Sequence, residues 1–152
     1  MALDMAKYRR IFLEESADHL AEISRALIDL EKEMDNAPAI DTIFRMAHSI
    51  KSMAASLGYD PVADLSHRIE DRMEGVRASG RVSDVEELGL LFRSLEALET
   101  MVVAISGEQH PAPADAALID ALAVQATALA DPLPSRLPSD SPDAVGGEPK
   151  KV

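Results

Sequence analysis

Several residue types are absent or scarce in this 152-residue chain, and each absence excludes certain kinds of site or of core. The chain has no cysteine and no tryptophan, and aromatic residues make up only 3% of it. The lack of cysteine excludes disulfides, thiolate metal sites and cysteine nucleophiles, and it fits a reducing compartment. With so few aromatic residues, the core must come from Leu, Ile, Val, Met and Ala, which suits helices better than sheets.

Basic residues are also scarce, since 15 Lys and Arg stand against 27 Asp and Glu and give a formal net charge of −12. This excess of acid argues against a surface for nucleic acid or for an anionic membrane. The N-terminus has no basic region followed by an apolar run, and no segment approaches the roughly 18 apolar residues of a spanning helix. We therefore expect a cytoplasmic protein that binds neither nucleic acid nor membrane.

Hydrophobic residues recur every three or four positions in four segments, which predicts four amphipathic helices. They cover about residues 4–34, 38–57, 60–80 and 83–107. The predicted apolar stripes are, helix by helix, Leu13, Ser16, Leu20, Ile23, Leu27, Leu30 and Met34; Ile40, Ile43, Ala47, Ile50, Ala54 and Leu57; Val62, Leu65, Ile69, Met73 and Val76; and Val85, Leu88, Phe92, Leu95, Val102 and Ile105.

The helix ends carry their own signals. Gly58 is placed to end the second helix in a left-handed conformation, and Asp60 before Pro61 is the expected N-cap of the third helix. Ser83 and Glu86 have the Ser-x-x-Glu spacing of a capping box, which predicts the start of the fourth helix.

Short connections make consecutive helices antiparallel neighbours. We therefore predict an all-α protein with an antiparallel up-down-up-down four-helix bundle over residues 1–107. Residues 108–130 hold a proline-containing break and a weaker, Ala-rich accessory fifth helix packed on the bundle. Residues 131–152 are rich in Pro, Gly and Ser, a composition that predicts a disordered linker or tail.

The second helix carries a candidate reactive group. His48 follows the stripe residue Ala47, so its side chain is rotated by about 100° from the packed seam toward water. Lys51 comes three residues later and lies beside the imidazole on the same face. The neighbouring Ala55 and Ser56 are small, so His48 is predicted to be an accessible nucleophile next to a positive charge.

The third helix adds His67 and Glu70, which are three residues apart and lie on one face. Antiparallel packing would bring that face beside His48 and Lys51, where each residue has a role in phosphoryl transfer. A carboxylate that accepts from a ring N–H fixes the imidazole tautomer, a role that fits Glu70. Lys51 would neutralise charge on the transferred phosphoryl oxygens. His67 is expected to tune the network by hydrogen bonding.

These residues stand in recognisable motifs. The segment Ala47-His48-Ser49-Ile50-Lys51, followed by Ala55-Ser56-Leu57-Gly58-Tyr59, resembles the histidine-containing phosphotransfer (HPt) family, and in particular the N-terminal domain of CheA-type chemotaxis kinases. Leu65-Ser66-His67-Arg68-Ile69-Glu70 and Arg77-Ala78-Ser79-Gly80 resemble the third helix of that domain. The resemblance covers roughly residues 5–106. In one departure, the family usually has Gly after the lysine, where this chain has Ser52 followed by Met53; the bulk of Met53 is expected to restrict how closely a partner approaches.

By this resemblance His48 is the phosphoacceptor, and Lys51, His67 and Glu70 occupy the family's supporting polar positions. The chain would then be a phosphocarrier between an ATP-dependent histidine kinase domain, in cis or in trans, and an aspartate of a CheY-like response-regulator receiver. No Gly-rich nucleotide loop is present, so the chain is not expected to bind ATP itself. ATP and Mg²⁺ are expected at the partner kinase domain and Mg²⁺ at the receiver, with no cofactor or metal in this chain.

Three other interpretations are open. The chain could be a stand-alone HPt relay protein between two receivers, or a helical interaction module in which the polar residues are incidental. It could also be a metal-binding bundle that uses His48, His67 and Glu70. Lys51 would repel a cation there, and the Glu-x-x-His pairs of bundle metal sites are missing.

The remaining polar features are assigned to the surface. His19 and His110 have no set of neighbours comparable to that of His48 and are predicted to be surface residues. The acidic pairs Glu14-Glu15 and Glu86-Glu87 are predicted to be solvated helix faces.

Overall fold

The computed structural model describes residues 4–130 and shows five helices and no strand in that range. They are α1 (Met5–Lys32), α2 (Ala37–Leu57), α3 (Asp60–Ser79), α4 (Val85–Ser106) and α5 (Ala116–Ala130). The all-α prediction, including a helix after the first four, is confirmed. The tail predicted for residues 131–152 lies outside the described residues.

Local chemistry explains where α1 and α2 begin and where α2 ends. The side chain of Asp4 accepts a hydrogen bond from the backbone N–H of Lys7 at 3.1 Å, and Asn36 does the same for Ala39 at 3.0 Å. Such bonds satisfy N–H groups that have no partner within the helix. Gly58 ends α2 with φ of 80°, a left-handed conformation that costs glycine little, as predicted.

The predicted N-cap of α3 is wrong by one residue. Asp60 is already helical, and Tyr59 is the N-cap, with its carbonyl accepting from the N–H of Ala63 at 3.0 Å. Tyr59 is held in place because its ring packs on Phe12 of α1, with 5.0 Å between ring centroids. The carboxylate of Asp60 then lies in the first turn, where it still favours the positive end of the helix dipole.

The predicted capping box of α4 is also displaced. Asp84, rather than Ser83, is the N-cap, and its carboxylate accepts from the N–H of Glu87 at 2.8 Å. The preceding loop is fixed because the N–H of buried Val82 donates to the carbonyl of Met34 at 2.9 Å. This contact sets the start of α4 one residue later than the sequence pattern predicts.

The first four helices close into a ring. α1 contacts α2 and α4, and α3 contacts α2 and α4, so each helix has two neighbours. α5 packs outside this ring on α3 and α4. Because the connections are only a few residues long, successive helices of the ring run antiparallel.

Burial matches the predicted stripes of α1, α2 and α3 closely. Of these stripe residues, only Leu13, Met34 and Leu57 are not fully buried, and they are half-buried against the core. The stripe of α4 is partly wrong, since Val85 is 75% exposed. α4 is covered by the ring on one side and by α5 on the other, so it buries a wider face, formed by Glu87, Leu88, Leu90, Leu91, Ser94, Leu95, Leu98, Met101 and Ile105.

Candidate functional site

α2 presents His48 to solvent. The neighbouring Ala47 and Ile50 are completely buried against the core, which fixes the rotation of the helix about its axis. On this helix the side chain of His48 is 56% exposed. The outward position predicted from its place beside the stripe is therefore observed.

Glu70 of α3 joins the two candidate residues of α2. One carboxylate oxygen, Oε2, lies 2.6 Å from Nδ1 of His48, and the other, Oε1, accepts from Nζ of Lys51 at 2.5 Å. The Glu70 side chain is only 12% exposed, while the Lys51 side chain is 28% exposed. A single carboxylate, held where α2 packs on α3, therefore orients both the imidazole and the ammonium group.

The ionisation of Glu70 follows from these contacts. Burial alone would raise the pKa of Glu70, but the hydrogen bonds from Lys51 and His48, together with their charges, outweigh it and leave the pKa lowered. The carboxylate is therefore ionised at neutral pH and acts only as an acceptor. Nδ1 of a neutral His48 must then carry the proton, which leaves the lone pair on Nε2, the ring nitrogen that does not face Glu70.

His67 is the predicted site residue that the structure does not connect to the others. Its side chain is 56% exposed, and its Nε2 lies 3.5 Å from Oδ1 of Asp71, one turn further along α3. Among residues 4–130, no hydrogen bond or ion pair links His67 to His48, Lys51 or Glu70. Its tuning role stays a prediction.

A shallow hollow lies next to His48. It is lined by Phe44, Arg45, Met46, His48, Ser49 and Glu70. Arg45 donates from Nε to Asp41 at 2.7 Å, and Arg77 of α3 approaches the same carboxylate at 3.8 Å. The Arg77 guanidinium also lies 4.3 Å from the centre of the Phe44 ring. Sequence reasoning missed this cluster, although Asp41 and Arg45 have the i,i+4 spacing of a helical ion pair.

Met53 is the bulky residue in the segment where this chain departs from the family pattern. It is half-buried and packs against the core. Ser52 is exposed. Part of the bulk of Met53 is thus taken up by packing within the bundle.

A second charged cluster lies elsewhere on α3. Arg72 donates from Nε to Glu87 of α4 at 2.6 Å, and its Nη2 contacts the other carboxylate oxygen. Its Nη1 donates to the backbone carbonyl of Leu122 in α5 at 2.7 Å. Both side chains are sealed from solvent, with Arg72 at 0% and Glu87 at 1% exposure. The prediction of a solvated face is therefore wrong for Glu87, because Arg72 and α5 cover it, although Glu86 is exposed.

The described residues also bear on metal binding and on insertion into a membrane. Among residues 4–130, no group of three or more His, Asp and Glu side chains is placed to hold a metal ion. In the same range no helix is long and apolar enough to cross a bilayer.

Comparisons with known proteins agree on one family. The family model described as the Hpt domain matches residues 7–108. The chemotaxis protein CheA of Bacillus subtilis is 36% identical over 103 residues, covering 68% of this chain and 15% of that protein. CheA of Listeria monocytogenes is 39% identical over 93 residues, covering 60% of this chain and 15% of that protein. The matched region is thus a small part of each relative.

A solved structure shares the fold. It is the phosphorylated P1 domain of CheA3 in complex with CheY6 from R. sphaeroides, with a TM-score of 0.71 and 22% sequence identity. The match covers 81% of this chain and 98% of the solved chain. This likeness confirms the four-helix bundle with an additional helix.

Proposed function

Because the chain belongs to the Hpt family, we propose that it is a phosphocarrier of a chemotaxis-type two-component pathway. His48 accepts a phosphoryl group from ATP bound to a histidine kinase catalytic domain and passes it to an aspartate of a CheY-like receiver. The chemotaxis assignment is supported by the CheA relatives, and the receiver by the CheY6 partner of the solved P1 domain. The catalytic domain and the receiver are separate from the residues described in this chain.

One observation carries the assignment of His48. Its Nδ1 is held 2.6 Å from the ionised Glu70, while more than half of the side chain is open to solvent. The ring is thereby fixed in the tautomer that has its nucleophilic lone pair on Nε2. The exposed imidazole is in a position that suits contact with a partner domain.

In both transfer steps the bonds and charges balance, and this chain loses no proton. Nε2 attacks the γ-phosphorus, a P–N bond forms, and the bond to the ADP oxygen breaks. The imidazole gains a positive charge and keeps its Nδ1 proton, which Glu70 stabilises by accepting from it at short range. Attack of the receiver's aspartate on phosphorus then breaks the P–N bond and returns the imidazole to its neutral form.

Lys51 and Mg²⁺ have complementary roles in this proposal. Lys51 lies against Glu70 and provides positive charge near the transferred oxygens, since electrostatic stabilisation is the main contribution that a protein makes to this reaction. Mg²⁺ belongs to the kinase domain and to the receiver, where it would neutralise phosphate charge during each transfer.

The test is phosphate incorporation from γ-labelled ATP with a CheA-type catalytic fragment. We expect the wild-type chain to be labelled and His48→Gln to carry no label. Circular dichroism should show that both are folded. His110→Gln, which changes an exposed histidine between α4 and α5, is the matched control and should be labelled normally. The label should be acid-labile and base-stable, as expected for a phosphoramidate. Equal labelling of His48→Gln would overturn the assignment and favour an interaction module.

A further inference from the structure

The charges around His48 are balanced before phosphorylation but not after it. Neutral His48, positive Lys51 and negative Glu70 sum to zero, and Lys51 lies against Glu70 at 2.5 Å. A phosphoryl group adds roughly two negative charges near neutral pH, and the imidazolium formed with it offsets one of them, so the site gains a net negative charge. The phosphorylated site therefore needs a cation beyond Lys51.

Arg45 is the cation in the best position. It precedes His48 by three residues on α2, so the two side chains are neighbours on one helix face, and both line the same hollow. Its side chain is 60% exposed, and within residues 4–130 only its Nε donates a hydrogen bond. The two terminal nitrogens are thus available, and a guanidinium binds phosphate oxygens in a bidentate manner.

The present partner of Arg45 has a substitute. Asp41 accepts from Arg45 at 2.7 Å, but Arg77 of α3 also approaches the other oxygen of Asp41 at 3.8 Å. Arg77 is positioned by its stacking on Phe44. If Arg45 turned toward His48, Asp41 would keep a positive neighbour, so the exchange would not leave an isolated charge.

We propose that Arg45 is a phosphoryl-binding residue, which leaves Asp41 and clamps the phosphoryl group once it is on Nε2 of His48. The inference rests on the proposed function, because it concerns the phosphorylated form of the same histidine. The charged groups that the ion pairs next to His48 and Arg45 connect are Asp41, Arg45 and Lys51 from α2 and Glu70 and Arg77 from α3.

The experiment uses chemical phosphorylation and needs no kinase. The full chain is phosphorylated chemically with phosphoramidate, and the phosphorus NMR signal that is absent from His48→Gln is assigned to phosphorylated His48. Its chemical shift is then followed against pH in the wild type, Arg45→Gln and Arg45→Lys. A nearby guanidinium favours the doubly ionised phosphoryl group, so Arg45→Gln should raise the titration midpoint by about half a pH unit, the size expected of an exposed ion pair.

Two further variants sharpen the test. Arg45→Lys keeps the charge but loses the bidentate contact, so its midpoint should lie between those of the wild type and Arg45→Gln. Asp41→Asn releases Arg45 from its present partner and should lower the midpoint below the wild-type value. The matched control is Arg25→Gln on α1, whose arginine is 64% exposed and paired with Glu22 three residues away. It should leave the midpoint unchanged.

The outcomes separate the two proposals. Identical midpoints in the wild type and Arg45→Gln would overturn the clamp, whatever the kinase does. A midpoint that depends on Arg45 in a chain that no CheA-type kinase labels would support the clamp and count against the phosphocarrier function. If Arg45→Gln slowed only the transfer to a receiver and left the midpoint unchanged, Arg45 would be a docking residue instead.

Discussion

Two acid–base clusters on α3 have similar chemistry and very different surroundings. Glu70 pairs with Lys51 and His48 of α2, while two residues further on Arg72 pairs with Glu87 of α4. A separation of about 200° around the helix places the two clusters on opposite faces. The His48 side chain of the first cluster is 56% exposed, whereas the second cluster is sealed between three helices.

Solvent access gives the two clusters different roles. In the open cluster, water screens the charges and reduces their contribution to the free energy of unfolding. The exposed imidazole, however, is accessible to a partner. In the sealed cluster no group can be reached, and each charge depends on the other for its solvation. Under the proposed function, the Arg72 cluster serves the fold and the Glu70 cluster serves phosphoryl transfer.

The largest expected effect comes from breaking the sealed pair. Arg72→Met leaves Glu87 buried without a cation, and we expect the free energy of unfolding to fall by about 3–5 kcal/mol. The double variant Arg72→Met/Glu87→Leu removes both charges and should recover most of that loss. Urea denaturation followed by circular dichroism measures both. Glu86→Gln, next to Glu87 but exposed, is the control; if Arg72→Met cost no more than this control, the pair would not be structural.

The open cluster should respond more in rate than in stability. Glu70→Ala removes the acceptor that orients His48 and stabilises the imidazolium, so labelling from ATP should slow by about ten- to hundredfold. This follows because a hydrogen bond to a charged group contributes about 1.5–3 kcal/mol and each 1.36 kcal/mol is tenfold in rate. Glu74→Ala, an exposed glutamate on the same helix, is the matched control. Labelling of Glu70→Ala at the wild-type rate would show that the orientation argument is wrong.

A smaller effect is expected in the pH dependence of stability. The pKa of Glu70 is lowered in the folded chain from its ordinary value of 4.5, so its ionised form stabilises the fold above that value. The contribution is lost as the pH falls through the lower, folded-state pKa. We therefore expect the difference in melting temperature between the wild type and Glu70→Gln to shrink on acidification below about pH 4.5. A difference that is constant from pH 7 to pH 3 would contradict the lowered pKa.

The sequence predicts the open cluster better than the sealed one for a physical reason. His48 and Lys51 are one turn apart on one helix, so helical spacing alone places them together. Glu70 requires only the antiparallel packing of two helices joined by a short connection. His67 has the same three-residue spacing from Glu70, but its Nε2 lies 3.5 Å from Oδ1 of Asp71, since helical spacing does not decide which of two neighbours a side chain contacts.

The sealed cluster depends on tertiary packing that spacing does not reveal. Glu87 follows another glutamate in a first helical turn, a pattern that is typical of a solvated face. It is buried only because α5 covers the junction of α3 and α4 and because Arg72 supplies its partner. Likewise, the approach of Arg77 to Asp41 joins residues 36 positions apart on two helices. Nothing in the local pattern of either helix indicates these contacts.

The smallest predicted effect tests whether a buried hydroxyl without a hydrogen-bond partner destabilises the fold. Ser66 of α3 is fully buried, and its hydroxyl has no hydrogen-bond partner among residues 4–130. Ser94 of α4 is equally buried, but its hydroxyl donates to the carbonyl of Leu90 at 2.9 Å. Serine to alanine gains the same helix propensity at both positions, so the difference between the two variants reports the hydrogen bond.

We expect Ser66→Ala to be more stable than Ser94→Ala by about 1 kcal/mol in urea denaturation, since removing an unpaired buried hydroxyl relieves a desolvation cost. Ser94→Ala instead loses a bond that satisfies its own hydroxyl. Equal stability of the two variants would mean that the Ser66 hydroxyl is satisfied in solution. Water would then have to reach the Ser66 hydroxyl inside the core. The division of α3 into an open and a sealed face would have to include such a path.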